Sequence, residues 1–423
     1  MRVHCSVTHM NLPIRLAALI CASFLAGCTN FLELRQELRE ARSELGHIAG
    51  VVISPACESC PTILVALDAP DSQTVHTYRV YERPGNFAMV TSGGSRYLFG
   101  FNDLNNDFQF QESEPSGWTR LPEEFSAGQR IDNIRLTLKK RNDGPAPAFG
   151  NLFDLRGVTL GAIDVGLGVQ ASLDDARFDA DKAWLGMWQP LRFMKEGLSG
   201  IYFLEKYDPA KTPVLFVHGI NGSPRDFSTM IASLDRQRFQ PWLLAYPSGL
   251  ELGAMGDGMY GMMTELHHRF PFRKLHIVAH SMGGLVSRSY LNVCAKNRNC
   301  GYLRSFTSIS SPFGGHASAQ SGVDYAPVAI PVWNSMAPGS RFLSGLFGER
   351  LPASVAHNLF FGFRNNVLVG RTSGDGTVSL ASQLRWEAQN QASSVRGFDE
   401  DHLSILESDA LLEHVGQLLA ARR

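Results

Sequence analysis

The pattern of apolar and polar positions changes once along the chain, near residue 144. Before it, from about residue 47, short runs rich in β-branched and aromatic residues alternate with turn residues such as Gly93-Gly94. Short strands at this spacing predict a small antiparallel β-sandwich, which we assign to residues 47–143. Residues 144–150, GPAPAFG, combine Pro and Gly and predict a linker.

After the linker, apolar strand-like runs alternate with amphipathic helical patterns. The runs that predict strands are residues 201–207, 213–219, 240–247, 274–281, 303–310 and 366–372. Helical patterns lie between them, for example over residues 224–236 and 283–295. Apolar strands separated by helices indicate a mostly parallel sheet covered on both faces. We therefore assign residues 151–423 to one doubly wound α/β domain.

The first 27 residues have the features of an export signal. They contain Arg2 and Arg15 and no acidic residue, and residues 16–26 form an apolar run. That run is too short to span a bilayer and fits a secretory signal peptide. It ends in Leu-Ala-Gly-Cys28, which resembles a bacterial lipobox. The resemblance implies cleavage after residue 27 and a diacylglycerol on Cys28; an ordinary signal peptide with an incidental cysteine is the alternative.

If Cys28 carries lipid, the protein is anchored to a bacterial membrane by its acyl chains. Thr29 follows the cysteine, where inner-membrane retention signals typically have Asp, so the resemblance favours the outer membrane. We expect the protein to face either the periplasm or the cell surface.

Residues 28–46 connect this anchor to the sandwich. Apolar side chains at alternating spacings of three and four form one helical stripe: Phe31, Leu34, Leu38, Ala41 and Leu45. The stripe predicts a helix that serves as a spacer or docks on the next domain.

Seven cysteines are an odd number for a disulfide-bonded protein. Two lie in the predicted signal peptide and one is the predicted lipid carrier. The other four form two closely spaced pairs, Cys57 with Cys60 and Cys294 with Cys300. This spacing favours two local disulfides in an oxidising compartment. A redox pair at Cys57 and Cys60, or a zinc site, is the less favoured interpretation.

Charge excludes one class of partner. Lys and Arg total 39 and Asp and Glu total 40, which gives a formal net charge of −1. Nucleic-acid binding rests on clustered excess Lys and Arg, so we expect no nucleic-acid partner. Apolar residues make up 44% of the chain, which is globular and not disordered composition.

One loop of the predicted sandwich spaces its oxygen-bearing side chains like a calcium loop. Asp103, Asn105 and Asp107 occupy alternate positions, and Glu114 occupies the twelfth. This order resembles an EF-hand loop, although Phe108 stands where such loops have Gly for a sharp turn. A hydrated hairpin loop without a metal is the alternative.

The strongest chemical signal lies where a predicted strand meets a predicted helix. The sequence there is Ala279-His-Ser281-Met-Gly283, close to the G-x-S-x-G pattern of a nucleophile elbow. Small residues are needed on both sides of the serine because the turn brings strand and helix close together. We therefore expect Ser281 to be a nucleophile at a helix N-terminus, where backbone N–H groups favour negative charge.

An upstream segment supplies a candidate oxyanion hole. His218-Gly-Ile220-Asn-Gly222 follows an earlier strand and resembles the H-G-x-x-G segment that provides one donor. We expect the N–H groups of Ile220 and Met282 to stabilise an oxyanion, each contributing roughly 10²–10³ in rate. His218 itself is expected to shape the loop.

The acid and the base should follow the nucleophile in that chain order. Asp375 lies between two glycines beyond the strand predicted at 366–372, and His402 lies in a loop after a last predicted strand. The rivals are Asp324, Asp399, Asp401, His316, His357 and His414. We expect Ser281, Asp375 and His402 to form a triad, with no metal needed for the chemistry.

These motifs make residues 151–423 resemble the α/β-hydrolase superfamily, and within it lipase-like and GPI-inositol-deacylase-like bacterial hydrolases. The resemblance implies a serine hydrolase that cleaves carboxylic esters. A long insertion at about residues 312–362 is apolar and broken by Pro, which indicates a cap over an acyl pocket. Four large apolar residues of this insertion either line the pocket or merely pack the cap: Trp333, Met336, Phe342 and Phe347.

An apolar cap on a membrane-anchored protein favours lipid or long-chain ester substrates. Two alternatives stay open: an amidase or acyltransferase with the same triad, and a surface-binding lipoprotein that is not catalytic.

Overall fold

The computed structural model describes residues 30–40, 43–123, 125–126, 128–142, 144–152, 165–364 and 373–421. The predicted signal peptide, Cys28 and the strand predicted at 366–372 lie outside these residues. Within the described ranges, no helix is both long and apolar enough to cross a membrane.

Two small sheets form the N-terminal part of the described chain. Their strands are β1 (Leu45–Ile53), β2 (Thr62–Leu67), β3 (Val75–Tyr81), β4 (Asn86–Ser92), β5 (Tyr97–Asn102), β6 (Ser116–Arg120) and β7 (Arg130–Thr137). One sheet has the order β4-β1-β7 and the other β3-β2-β5-β6. As predicted, the small sheets are antiparallel; β1 and β7 are the one parallel pair among their described strands.

The two sheets enclose a common core. Ile48 and Val52 of β1 share a buried cluster with Leu64 of β2 and Leu98 of β5. Strand β2 is buried along its whole length, and alternate residues such as Val65 face a second cluster on its other side. Because successive side chains of a strand point to opposite faces, β2 contributes residues to both clusters.

A larger sheet forms the rest of the fold. Its strands are β8 (Gly166–Gln170), β9 (Gly200–Phe203), β10 (Thr212–Val217), β11 (Phe239–Ala245), β12 (Leu275–His280), β13 (Leu303–Ile309), β14 (Ala356–Gly362) and β15 (Ala392–Phe398). Their order is β15-β14-β13-β12-β10-β11-β9-β8. Strands β10 to β15 run parallel to one another, and β9 is antiparallel to β11.

Helices accompany this sheet and form two separate buried clusters with it. They are α1 (residues 30–40), α2 (Ala180–Trp188), α3 (Pro190–Lys195), α4 (Ser228–Ser233), α5 (Leu252–Arg269), α6 (Met282–Asn297), α7 (Ala317–Tyr325), α8 (Pro331–Met336), α9 (Arg341–Gly345), α10 (Leu380–Gln383), α11 (Trp386–Asn390) and α12 (Asp409–Ala421). Short 3₁₀ turns lie at Ala176–Phe178, Pro224–Phe227 and Ser404–Glu407. The mostly parallel sheet with helices against it is the α/β-hydrolase fold.

Strand β14 corrects the extent assigned to the cap. The insertion was assigned to about residues 312–362, but Ala356–Gly362 pairs in parallel with β13 and is part of the sheet. Its seven residues are almost entirely buried, so their apolar character reflects a central strand and not a cap. The helices of the insertion are α7, α8 and α9.

The N-terminal helix docks on the α/β part. Leu34 of α1 is fully buried in the larger core of that part, and Leu38 packs against the same core. Leu45 belongs to β1 and not to the helix, which corrects the helical assignment up to residue 46. Ala41 lies outside the described residues.

The N-terminal sheets also contact α5 and α6. The Tyr78 hydroxyl donates to Glu265 at 2.8 Å, and an Arg79 N–H donates to the carbonyl of Asp257 at 2.9 Å. Arg83 reaches the carbonyl of Asn297 at 3.0 Å, at the end of α6. Strand β3 and the turn after it therefore dock on two helices of the larger part.

Both cysteine pairs are bridged in the structure. Cys57 is joined to Cys60, and Cys294 is joined to Cys300. The second bridge closes the turn that follows α6.

The loop from Asp103 to Glu114 uses its carboxylates internally. Asp103 accepts the N–H groups of Asp107 and Phe108, both at 3.1 Å, and Glu114 accepts that of Leu104 at 2.8 Å. Across the described residues, no group of three or more His, Cys, Asp or Glu side chains is placed to hold a metal ion. The calcium site at Asp103, Asn105, Asp107 and Glu114 stays a prediction.

The burial of α1 gives a stability prediction. Leu34→Ala removes a fully buried side chain, which costs about 2–5 kcal/mol and weakens docking of the helix. We expect tryptic cleavage at Arg35 and Arg39 to accelerate at least tenfold, since cleavage requires local opening. Leu32 is 65% exposed on the same helix, so Leu32→Ala should leave the rate unchanged. Equal rates for both variants would contradict docking through Leu34.

Candidate active site

The turn between β12 and α6 presents Ser281 in a rare backbone conformation. Ser281 has φ 53° and ψ −127°, and its N–H donates to the carbonyl of Ile309 at 2.8 Å. A Cβ on Gly283 would lie 2.2 Å from the carbonyl oxygen of Val217 and 2.5 Å from that of His218. This contact is the physical reason that glycine stands two residues after the serine.

Three predicted residues meet at this turn. The Ser281 Oγ and the His402 Nε2 are 3.0 Å apart, and the His402 Nδ1 and the Asp375 Oδ2 are 2.7 Å apart. The N–H of His402 also donates to the carbonyl of Asp375 at 2.9 Å. All three side chains are largely buried, so the hydrogen bonds lie in a poorly solvated site.

The loop around Asp375 holds its carboxylate in one orientation. Oδ1 accepts the N–H groups of Thr377 at 3.0 Å and Val378 at 2.6 Å, which leaves Oδ2 for His402. Gly376 has φ 87°, a conformation that side chains disfavour, and allows the chain to turn there. Burial alone would raise the pKa of Asp375, but the hydrogen bonds from His402 and the backbone lower it overall. The ionised carboxylate is therefore the favoured form.

Two buried histidines shape the site from beneath. The His280 Nε2 lies 2.8 Å from the carbonyl of His402, and the two rings are in contact at 4.7 Å between centroids. His218 stacks on Tyr246 at 4.3 Å, and its Nδ1 lies 2.8 Å from the carbonyl of Gly219. Burial lowers the pKa of His280 to about 3 and that of His218 to about 4, so both are neutral.

The sequence pattern does not indicate a role for His280, because it identifies this residue only as the one before Ser281. Its contact with His402 joins residues 122 positions apart, which only the fold reveals.

The predicted oxyanion segment lies beside the serine. A Cβ on Gly219 would lie 3.0 Å from the Ser281 Cβ, and Ile220 lines the same cavity as Ser281. The Tyr246 hydroxyl donates to the carbonyl of His218 at 2.7 Å and fixes the start of the segment. Met282 begins α6, so its N–H is one of the first N–H groups of the helix, which have no partner within the helix.

A cavity of about 570 Å³ opens beside Ser281 and His402, which both line it. Its wall is mostly apolar and includes Ile220, Pro312, Ala319, Trp333, Met336, Val378 and Leu403. Two of the four predicted cap residues, Trp333 and Met336, therefore line the cavity, whereas Phe342 and Phe347 pack against the core. His316 ties the cap to the loop of the acid, since its Nε2 lies 2.8 Å from the carbonyl of Thr377.

The rival acids have other partners. Asp399 pairs with Arg364 at 3.2 Å, and Asp401 accepts the N–H groups of Leu403 and Ser404. Asp324 accepts a hydrogen bond from Gln320 on α7.

The rival histidines are also placed elsewhere. The His357 Nε2 is hydrogen-bonded to the Ser308 hydroxyl within the sheet. His414 lies on α12, and its Nδ1 is 3.0 Å from an Arg396 nitrogen. Only His402 among the candidates contacts both Ser281 and a carboxylate in the described residues.

Comparisons with known proteins agree with the fold. Residues 257–388 match the profile of a family described as "Alpha/beta hydrolase of unknown function (DUF915)". That segment contains Ser281 and Asp375. A search of curated proteins finds no match.

Several solved structures are similar to part of the chain. The mature lipase BlEst2 of Bacillus licheniformis is 20% identical, with a TM-score of 0.41, over 51% of this chain and 94% of that one. Phospholipase PlaB of Legionella pneumophila is 16% identical, with a TM-score of 0.35, over 41% of this chain and 45% of that one. Lipase B of Aspergillus fumigatus is 17% identical, with a TM-score of 0.35, over 48% of each chain. The fold assignment rests on the strand order and the family match, and not on these similarities.

The buried histidines predict a pH dependence of stability. In the unfolded chain His218 and His280 take up protons near pH 6.5, whereas in the folded protein their pKa values are about 4 and 3. Between pH 6.5 and pH 4 the unfolded state binds more protons, so the free energy of unfolding falls as pH falls. The slope is about 1.4 kcal/mol per pH unit for each histidine.

Denaturant titrations at several pH values measure this slope. Above pH 7 these two residues should contribute no pH dependence, because they are neutral in both states. An unfolding free energy that is unchanged between pH 7 and pH 4.5 would contradict the burial of neutral imidazoles at this site.

Proposed function

We propose that this chain, a member of the α/β-hydrolase superfamily, is a serine hydrolase that cleaves carboxylic esters through an acyl-enzyme. One observation carries the proposal: the hydrogen-bonded series Ser281–His402–Asp375 at the base of an open, mostly apolar cavity. A scaffold or a purely surface-binding protein does not require a buried serine, histidine and carboxylate in this arrangement.

The proposed reaction begins with proton transfer from Ser281 to the His402 Nε2 while Oγ attacks the acyl carbon. Asp375 keeps the proton of the imidazole on Nδ1 and stabilises its charged form. The N–H groups of Ile220 and Met282 bind the oxyanion that forms. His402 then protonates the leaving alcohol, and a water molecule activated by His402 releases the acid from Ser281.

The substrate class follows from the cavity wall. Trp333, Met336 and Leu403 offer apolar surface to an acyl chain, and apolar burial contributes about 25 cal/mol per Å². We therefore propose lipid or long-chain acyl esters as substrates. Solved structures similar to parts of the chain include proteins named lipase and phospholipase, which agrees with this class.

We further propose that Cys28 carries lipid and anchors the protein to the outer membrane. Two or more acyl chains are needed for stable anchoring, and a lipobox cysteine supplies them. The two disulfides are consistent with an oxidising compartment.

Labelling with a fluorophosphonate tests the nucleophile. We expect the wild-type protein to be labelled and Ser281→Ala to be unlabelled, with ester hydrolysis reduced by at least 10³-fold. Ser287→Ala is a matched control on the same helix: its hydroxyl is buried and has no hydrogen-bond partner among the described residues. That variant should be labelled like the wild type. Labelling of Ser281→Ala at the wild-type rate would overturn the assignment of the nucleophile.

The chain-length preference tests the substrate class. We expect kcat/KM to increase from acetyl to octanoyl esters of the same alcohol, because each methylene buried in the cavity contributes about 0.8 kcal/mol. Trp333→Ala should reduce the preference for octanoyl esters several-fold. Equal hydrolysis of acetyl and octanoyl esters by the wild type would count against a lipid substrate.

A further inference from the structure

Helix α1 packs directly against the wall of the catalytic cavity. The ring of Phe31 contacts Trp188 of α2 and Trp333 of α8, with centroids 5.4 and 6.4 Å apart. Trp188 and Trp333 also contact each other at 6.4 Å. Because Trp333 lines the cavity above Ser281, a single aromatic cluster connects the N-terminal helix to the catalytic site.

Polar contacts fix the same helix along its length. The Glu37 carboxylate accepts the N–H groups of Leu191 at 2.8 Å and Arg192 at 3.0 Å. The amide of Gln189 donates to Glu33 at 2.5 Å. Together with the buried Leu34, these contacts hold α1 as a rigid part of the α/β body.

Little chain remains between this body and the predicted anchor. Only Thr29 separates Cys28 from the first described residue of α1, and Phe31 follows Cys28 by three residues. An extended chain spans at most about 3.6 Å per residue, so Cys28 and Phe31 are at most about 11 Å apart. The start of α1 therefore stays within about 11 Å of the predicted lipid carrier.

Exposed apolar side chains lie on three segments that line the cavity or contact its wall. Leu403 lines the cavity next to His402 and is 69% exposed, and Leu32 next to Phe31 is 65% exposed. Tyr325 ends α7 and is 85% exposed, and α7 packs on Trp333 through Gly322. Exposed apolar side chains around a cavity are costly in water and favourable at a lipid surface.

We infer that α1 holds the mouth of the catalytic cavity against the bilayer that carries the lipid of Cys28, and that the enzyme hydrolyses ester lipids of that same leaflet. We call Leu32, Tyr325 and Leu403 the apolar rim. In this arrangement the rim contacts a phospholipid surface. This inference rests on the proposed function and on the lipidation of Cys28.

The experiment compares lipids in the enzyme's own vesicle with lipids in another vesicle. Lipidated full-length protein is reconstituted in phosphatidylcholine vesicles that contain one labelled ester lipid, and protein-free vesicles with a differently labelled ester lipid are added. We expect hydrolysis in the protein's own vesicles to be at least tenfold faster. Detergent that mixes both lipids should abolish this preference. Equal hydrolysis of both labels before detergent would overturn the inference.

Two sets of variants separate the parts of the inference. A flexible Gly-Ser insert of about 20 residues between Thr29 and Asn30 has a mean span of roughly 25 Å. The insert should reduce the preference for lipids in the protein's own vesicles several-fold, because the body can then turn and reach other membranes. An unchanged preference would show that the short tether does not set the orientation.

The rim is tested by the ratio of vesicle lipid hydrolysis to hydrolysis of a soluble short-chain ester. Leu32→Ser and Tyr325→Ser should each reduce this ratio about fivefold. Val395→Ser is the matched control, since Val395 is a 46% exposed apolar residue on β15, and its ratio should not change. Unchanged ratios for both rim variants would overturn the lipid-facing rim. Failure to cleave the soluble ester at all would instead overturn the proposed function.

Discussion

The close approach of α6 to the end of β10 is the contact on which the candidate site depends. Gly283 lies against the carbonyl oxygens of Val217 and His218, where a Cβ would come within 2.5 Å. Because Gly283 has no Cβ, α6 can begin this close to β10, directly after the turn in which Ser281 has φ 53°. This backbone contact therefore places Ser281 beside the segment with Ile220, and the Tyr246 hydroxyl bond to the carbonyl of His218 fixes the start of that segment.

A second constraint connects the base to the elbow. The backbone carbonyl of His402 lies 2.8 Å from the His280 Nε2. The backbone N–H of His402 donates to the carbonyl of Asp375. Because burial keeps His280 neutral, one ring nitrogen has a proton to donate to that carbonyl. The loop of the base is thus attached to both the nucleophile strand and the acid loop. This double attachment allows a surface loop to hold an imidazole in a fixed orientation over Ser281.

The N-terminal region is arranged around the same site. Helix α1 packs on Trp333 through Phe31, while β3 and its following turn contact α5 and α6 through Tyr78 and Arg83. The path from the predicted anchor therefore passes along the cavity wall before it enters the small sheets. If Cys28 carries lipid as proposed, this path limits which surface the cavity can face.

Local sequence determined which residues form the candidate site, because each part needs a short pattern: small residues around Ser281, glycines around Asp375, and His402 after the last strand. The period of two and the alternation of strands and helices likewise determined most of the fold. The sequence did not reveal β6, β8 or the parallel pairing of β1 with β7, since strand pairing depends on partners far along the chain. It also assigned β14 to the cap, because a buried central strand and an apolar cap have the same composition. Only the tertiary structure placed His280 under His402 and α1 against Trp333, since those contacts join residues more than a hundred positions apart.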